Sequence, residues 1–303
     1  MTVLVTGGAG FIGSHMVYAL IEAGERVVVL DNLSTGHRWA VAAGVPLAVG
    51  ESGDQALMSQ LIREHDVDAI IHFAASLIVP DSVRDPLGYY RNNTVNSRAL
   101  IACAIETGVR HFIFSSTAAV YGNPATIPVD EETPTLPISP YGWSKLMTEI
   151  MLRDASRAHD LRHVTLRYFN VAGADPQGRA GQSSEAATHL IKVAAEAALG
   201  LRPKFEVFGT DYPTSDGTCI RDYIHVSDLV GAHFASPALR RPVLDGELRL
   251  RPRLFGPRSG RHGQTCLGRR FQGRARGAAR GRPRLYRRSQ RARVHRARLA
   301  AAL

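Results

Sequence analysis

The sequence predicts an α/β protein built on a doubly wound parallel sheet, with a smaller, incomplete lobe that follows it along the chain. Three observations predict this fold: short apolar runs that suit strands buried on both faces, longer amphipathic segments, and the alternation of the two over residues 1–235. Such alternation builds βαβ units with right-handed crossovers. A chain of 303 residues, 45% of them hydrophobic, is long enough to bury a sizeable core.

The predicted elements alternate in order along the chain. Their strand cores are rich in β-branched and aromatic residues, and the predicted helices lie between them. The predicted strand cores are residues 3–5, 27–30, 69–71 and 112–114, and the predicted helices are residues 11–23, 55–65 and 98–107.

The formal net charge of +10 is divided unevenly along the chain. Residues 236–303 contain 20 arginines, no lysine and only two acidic residues, whereas residues 1–235 contain 17 basic and 25 acidic residues. High charge with few core-forming residues predicts disorder over 236–303. We interpret this Arg-rich composition as the product of a reading-frame change in GC-rich DNA. The alternative is an arm that binds nucleic acid through its phosphates.

A dinucleotide-binding turn is predicted directly after the first strand. Gly7, Gly10 and Gly13 permit a tight turn, a close approach of the backbone to a pyrophosphate, and close packing of helix on sheet. Asp31 ends the second predicted strand, where a carboxylate accepts hydrogen bonds from ribose hydroxyls and repels a 2′-phosphate. The sequence therefore predicts a Rossmann-type domain that binds NAD rather than NADP.

A chemical site is predicted where the fourth strand core ends and a later helix begins. Tyr141 and Lys145 are four residues apart, so they share one face of that helix. A tyrosine titrates near pH ~10, and it needs a nearby cation to act as a base at neutral pH. Thr117 follows the strand and holds the substrate oxygen in line. These residue types indicate general acid–base catalysis coupled to hydride transfer.

Several further motifs occur in order over residues 1–235, and with them the chain resembles the extended short-chain dehydrogenase/reductase family. Within that family it is similar to the UDP-hexose 4-epimerases, which interconvert UDP-glucose and UDP-galactose. The motifs are residues 7–13, 31–34, 72–75, 89–93, 115–122, 141–145, 167–174 and 221–226.

The resemblance implies a role for each matching residue. Tyr141 is the acid/base, Lys145 binds the nicotinamide ribose and tunes Tyr141, and Thr117 positions the sugar hydroxyl. NAD stays bound, takes a hydride from sugar C4 and returns it to the other face after the 4-keto sugar turns over. The remaining implied NAD contacts are Phe11, Ile12, Asn32, Phe73, Ala74, Ala75, Asn93 and Phe169, and the implied UDP-sugar contacts are Asn170, His189, Leu190, Phe208 and Arg221.

The predicted organisation is an NAD-binding domain with the catalytic residues over 1–175, a partial UDP-sugar lobe over 176–235, and the basic tail. Related dehydratases and decarboxylases place an acid after the Ser/Thr cluster, where this chain has Ala118 and Ala119. That difference favours epimerisation. Two other hypotheses remain open: a non-catalytic NAD-binding protein whose tail binds nucleic acid, and another NAD-dependent sugar-nucleotide reductase. A homodimer is implied by the resemblance alone.

The cysteines and the hydropathy bear on location. Cys103, Cys219 and Cys266 are far apart and match neither a disulfide framework nor a metal-ligand spacing, which favours a reducing cytoplasm and predicts no metal site. No apolar run reaches the ~18 residues of a membrane span, so no membrane association is expected. The first residues lack the basic segment of a signal peptide, and none is expected.

Overall fold

The computed structural model describes residues 1–184, 189–204, 206–207 and 209–236. Its strands confirm all four predicted strand cores and add others that the sequence did not predict. The strands are β1 (Thr2–Thr6), β2 (Arg26–Asp31), β3 (Leu47–Val49), β4 (Ala69–His72), β5 (His111–Ser115), β6 (Arg162–Leu166), β7 (Asn170–Ala172) and β8 (Tyr223–His225).

Six of these strands form one parallel sheet in the order β3-β2-β1-β4-β5-β6. This is the order of a doubly wound dinucleotide-binding sheet, so the predicted fold class is confirmed. The other two strands, β7 and β8, pair in parallel as a separate two-stranded sheet.

Helices connect the strands and begin where the sequence supplies caps. Asp54 and Ser139 cap the helices that follow them by accepting hydrogen bonds from backbone amides, and Pro140 suits the first turn of its helix. The helices are α1 (Phe11–Glu22), α2 (Gln55–Glu64), α3 (Val79–Arg84), α4 (Pro86–Tyr89), α5 (Asn96–Glu106), α6 (Pro140–Ala158), α7 (Leu190–Ala198) and α8 (Val226–Phe234), with a π-helical segment at Tyr90–Val95.

Successive residues of the central strands pack alternately into two hydrophobic layers, one on each face of the sheet. Val3 and Val5 pack in the layer under α1 and α8, whereas Leu4 packs in the layer under α2, α5 and α6. The same alternation holds in β5, where Ile113 faces the first layer and Phe112 the second. Because both faces are covered, these strands read as continuous apolar runs, which is why the sequence predicted them.

The end of the predicted sugar lobe packs with the sheet. Ile224, Val226, Leu229 and Val230 belong to the same apolar layer as Met16 of α1. The end of the predicted sugar lobe thus shares a hydrophobic layer with α1 of the predicted NAD-binding domain. The reason is that α8 presents an apolar face to α1, and helices bury such faces wherever a partner is available.

No helix within the described ranges is both long and apolar enough to cross a membrane. Residues 237–303, nearly all of the predicted basic tail, lie outside the described residues. The predictions of disorder, of a frame change and of a nucleic-acid-binding arm all concern that segment.

Candidate active site

The candidate site is a long cleft at the carboxyl ends of the central strands. β1 and β4 are neighbours in the sheet, and the chain leaves them towards opposite sides, which makes their ends the switch point where doubly wound folds bind ligands. The loop after β1 and the loop after β4 both line the cleft, as do the residues after β5 and the start of α6.

The glycine turn after β1 requires glycine at two of its positions. Gly7 has φ +74°, and a Cβ there would lie 2.6 Å from the backbone nitrogen of Ala74. A Cβ on Gly13 would lie 2.1 Å from the carbonyl oxygen of Gly7, so α1 packs directly on the turn. Gly10 immediately precedes α1 and lines the cleft, together with Phe11 and Ile12. The first amides of α1 therefore face a space that accepts an anion.

Asp31 lies at the end of β2, buried yet lining the cleft. Its Oδ2 accepts a hydrogen bond from the Ala9 amide at 2.9 Å, and its Oδ1 accepts one from the Leu33 amide at 2.8 Å. Each carboxylate oxygen keeps a further lone pair for ribose hydroxyls. Asn32, the next residue, is exposed at the cleft rim, where its amide donates to Glu51 at 3.0 Å.

Phe73, Ala74 and Ala75 line the cleft after β4, as predicted for the wall of a cofactor site. Asn93 does not line it and lies behind that wall, within the π-helical segment. Its Oδ1 accepts from the Ser76 amide at 2.8 Å, and its Nδ2 donates to the Ser76 carbonyl at 3.0 Å and to Ser144 Oγ at 3.1 Å. Asn93 thus fixes the loop that carries Ala74 and Ala75.

The structure brings the three predicted catalytic side chains together. Tyr141 and Lys145 lie one turn apart on the buried face of α6, and Thr117 follows β5. All three line the cleft. The Thr117 side chain lies close enough to the Tyr141 phenol to lower its pKa, and it accepts a hydrogen bond from the Ala119 amide at 3.2 Å. A substrate hydroxyl that reached Thr117 would therefore also be within reach of Tyr141.

Burial acts in opposite directions on the two titratable groups. It raises the pKa of the Tyr141 phenol and lowers the pKa of Lys145 to about 7, because desolvation disfavours the charged form of each. The sequence analysis expected the lysine to make the phenol more acidic. Here desolvation outweighs any such effect, and the Lys145 ammonium donates instead to the Ser115 carbonyl at 3.0 Å. At neutral pH Lys145 is thus poised between its two protonation states.

Phe169, which is predicted to contact NAD, lines the cleft. The predicted sugar-nucleotide residues Asn170, His189, Leu190 and Arg221 also line it, and Phe208 lies outside the described residues. Asn170 donates through Nδ2 to the Asp222 carbonyl at 3.0 Å. Within the described part of the chain, the hydrogen bond found for the exposed Arg221 guanidinium is to the Ile220 carbonyl, at 3.0 Å. Most of that guanidinium's donors therefore remain available for an anion.

A buried ionic cluster that was not predicted from the sequence lies behind Thr117, Tyr141 and Lys145. Glu149 accepts a hydrogen bond from Ser116 Oγ. Its carboxylate also accepts from Arg167, whose Nε lies 3.1 Å from each of the two oxygens. Arg167 also donates to the Tyr121 hydroxyl at 3.2 Å. One signal was available: Glu149 is the next member of the four-residue spacing that joins Tyr141 to Lys145.

The residues present fit NAD on their own chemistry. A side chain at Gly7 would collide with the backbone of Ala74, and one at Gly13 with the backbone of the turn. The N-terminal residues of α1 line the cleft, and a buried carboxylate lies at the end of β2. These are the parts that a pyrophosphate and an adenosine ribose require. Asp31 would bind the adenosine ribose of NAD, and Lys145 would bind its nicotinamide ribose. Phe73 would line the cleft that holds the cofactor.

Comparison with known proteins gives the following matches. The family model described as the NAD dependent epimerase/dehydratase family matches residues 3–242. A UDP-glucose 4-epimerase of Azospirillum brasilense is 61% identical over 231 residues, which cover 76% of this chain and 66% of that protein. One from Halalkalibacterium halodurans is 47% identical over 82% of this chain and 75% of that protein. The chain thus spans just under two thirds of the Azospirillum relative.

Solved structures give the same match. The UDP-glucose 4-epimerase of Brucella ovis, solved in complex with NAD, superposes with a TM-score of 0.74 at 48% identity, over 77% of this chain and 71% of that one. That of Bifidobacterium longum, in complex with NAD+ and UDP, also gives 0.74, at 40% identity over 77% and 72%. These matches confirm the resemblance drawn from the motifs and the prediction of NAD as cofactor.

Proposed function

The chain belongs to the NAD-dependent epimerase/dehydratase family, and from this premise we propose that it is a UDP-glucose 4-epimerase that interconverts UDP-glucose and UDP-galactose. The observation that carries the proposal is the meeting of Thr117, Tyr141 and Lys145 in one cleft with the glycine turn and Asp31. Relatives named UDP-glucose 4-epimerase at 47–61% identity support it.

The chain's own residues divide the work of the reaction. Bound NAD supplies reversible hydride acceptance at its nicotinamide ring. Thr117 orients the sugar 4-hydroxyl, and the hydroxyl proton passes to Tyr141 Oη when the hydride leaves C4. Protonated Lys145 favours the phenolate form of Tyr141 through its charge. Because both groups are buried, their charges interact through a medium less polar than water, which strengthens that coupling.

Tyr141 then returns the proton to the same oxygen when the hydride comes back to the opposite face. No second acid is needed at the neighbouring positions, and Ala118 and Ala119 line the cleft there. Asn170, His189, Leu190, Phe208 and Arg221 are proposed to hold the UDP group, with Arg221 pairing with the diphosphate. On this reading residues 1–175 bind NAD and carry the chemistry, and residues 176–235 bind the sugar nucleotide.

One assay tests the proposal directly. The purified full chain, given NAD+ and UDP-galactose, should form UDP-glucose, as followed by proton NMR of the anomeric signals. Absorbance at the NADH band should not rise with turnover, because the hydride is returned. Steady consumption or release of NADH would instead identify an ordinary reductase. A parallel reaction with an N-acetylated UDP-hexose defines the sugar range.

We further propose that the chain forms a homodimer and acts in the cytoplasm. Trp143, Met147 and Ile150 form an apolar stripe along the outer face of α6, and exposed Val95 and Leu87 lie on segments packed beside that helix. Contiguous exposed apolar surface of this kind favours association with a second copy. Sedimentation equilibrium tests it: a monomer at micromolar concentration would contradict the proposal.

A further inference from the structure

Three residues of α6 face the strand end that carries the catalytic threonine. Tyr141 lies beside the Thr117 hydroxyl, Lys145 donates to the Ser115 carbonyl, and Glu149 accepts from the Ser116 hydroxyl. Their spacing of four places them on one stripe of the helix. The first two have roles in the proposed reaction, and the third has none so far.

Glu149 is held in place from two sides. Its side chain is 9% exposed, and the Arg167 guanidinium meets both carboxylate oxygens. The Arg167 guanidinium in turn stacks over the Tyr121 ring, 5.1 Å from its centroid. Glu149 is thus a buried carboxylate with a hydrogen-bond partner on each of its oxygens.

Lys145 lies one helical turn from Glu149 in surroundings that otherwise disfavour its charge. It is 2% exposed, its ammonium lies 5.0 Å from the centre of the Phe114 ring, and the neutral ring of His72 is close enough to be influenced by it. The acidic group that favours the protonated lysine is Glu149. Arg167 forms an ion pair with Glu149. The charge of Glu149 also favours the protonated form of His163.

We propose that Glu149 is a positioning residue whose charge, one helical turn away, helps to hold the Lys145 ammonium directed at the end of β5, while Ser116 and Arg167 hold Glu149 itself in place. This inference rests on the proposed function for its catalytic meaning, since a charged Lys145 assists Tyr141. Glu149 does not touch the substrate, and its effect passes through Lys145.

The lysine content of the chain permits a direct test. The 303-residue sequence contains three lysines, Lys145, Lys192 and Lys204. Protein labelled with 13C at lysine Cε gives three NMR signals, which single Lys192→Arg and Lys204→Arg variants assign by elimination. In Glu149→Gln, which keeps the size and the hydrogen-bond acceptor but loses the charge, the titration midpoint of Lys145 should fall by about one pH unit.

The matched control is Asp154→Asn on the same helix. Asp154 is exposed and pairs with Arg153 at 3.0 Å, so the loss of its charge should leave the Lys145 midpoint unchanged. If Glu149→Gln leaves Arg167 unpaired and fails to fold, the double variant Glu149→Gln/Arg167→Gln buries two neutral amides and should show a smaller fall in the same direction, because loss of the more distant Arg167 charge offsets part of the effect. An unchanged Lys145 midpoint in a folded variant would overturn the proposal.

Activity provides a second readout. At pH 7 Glu149→Gln should lower kcat about five-fold with little change in KM, and the deficit should shrink as the pH falls towards 6 and Lys145 regains its proton. A loss that is independent of pH would mean a purely structural role. If the wild-type chain shows no epimerase activity, the proposed function fails, and the lysine titration still decides the role of Glu149.

Discussion

The sheet region and the described residues of 176–222 differ sharply in how they are packed. In β1, all five residues are buried, and Ile71 of β4 and Phe112 and Phe114 of β5 are 0–1% exposed. In 176–222, Ala180 and Thr218 are the buried residues within the described part, and no residue of α7 is buried. Leu199 and Leu201, which follow α7, are 69% and 73% exposed.

This difference shows which parts of the site are held rigidly. Elements of the packed sheet region carry most of the site: the glycine turn, Asp31, Thr117, Tyr141 and Lys145. Catalytic groups need to be held to within a fraction of an ångström, and a packed core supplies that order. The proposed sugar-nucleotide side is carried by segments that bury little of their own apolar surface. We therefore expect cofactor binding and proton transfer to be properties of the sheet region.

The largest expected effect follows from placing the chemistry in that region. Tyr141→Phe removes the phenolic oxygen and leaves the ring, so kcat for UDP-galactose should fall by about 100- to 10,000-fold. Bound NAD, measured by its release on denaturation, should stay at the wild-type level, because Asp31 and the glycine turn are untouched.

The matched control for this substitution is Tyr18→Phe on α1. The Tyr18 ring packs against Arg179, with 4.4 Å between the ring centroid and the guanidinium carbon. It also removes one phenolic oxygen, and it should leave kcat unchanged. Full activity in Tyr141→Phe would contradict the assignment of the acid/base.

The second prediction tests the packing contrast itself. Phe112→Ala in the sheet core should lower the free energy of unfolding by about 3–5 kcal/mol, since the cavity lies among fully buried neighbours. Leu199→Ala, at an exposed position after α7, should change it by less than about 0.5 kcal/mol. Urea unfolding followed by circular dichroism measures both. Equal losses would show that the two regions are packed alike.

The same contrast explains which elements the sequence could predict. β1, β2, β4 and β5 are covered on both faces and read as apolar runs, and the glycine turn with Asp31 has a local spacing. β3 and β6 lie at the two edges of the sheet, where a strand has one neighbour. None of their residues is fully buried; β3 spans only three residues, and β6 includes the polar Arg162, His163 and Thr165, so neither stands out as a long apolar run.

The parts of the site that the sequence did not predict depend on contacts between distant residues. Glu149 and Arg167 are 18 residues apart, and Asn93 meets Ser144 across 51 residues. Nothing local in their spacing distinguishes a buried cluster from solvated charge or from a helix cap. Only the approach of α6 to the ends of β5 and β6 gives them partners.

The smallest expected effect concerns the cost of burying a titratable ring in the sheet region. His72 ends β4, where Thr6 Oγ1 lies 2.6 Å from Nδ1 and Ser97 Oγ lies 2.8 Å from Nε2. Desolvation, aided by the charge of Lys145, lowers the pKa of His72 to about 3. Below pH 6.5, the ordinary pKa of histidine, His72 binds a proton in the unfolded chain but stays neutral in the folded chain. Stability is therefore full above that pH and declines as the pH falls towards 3.

Between pH 7 and pH 5.5 this group should cost the wild-type chain about 1 kcal/mol of unfolding free energy. His72→Gln retains hydrogen-bonding capacity but does not titrate. Between pH 7 and pH 5.5 its unfolding free energy should therefore fall by about 1 kcal/mol less than that of the wild type. His159→Gln, at the exposed end of α6, provides the control and should follow the wild type. If His72→Gln and the wild type decline in parallel, the ring takes up a proton in the folded state and the interior at β4 is more polar than its packing indicates.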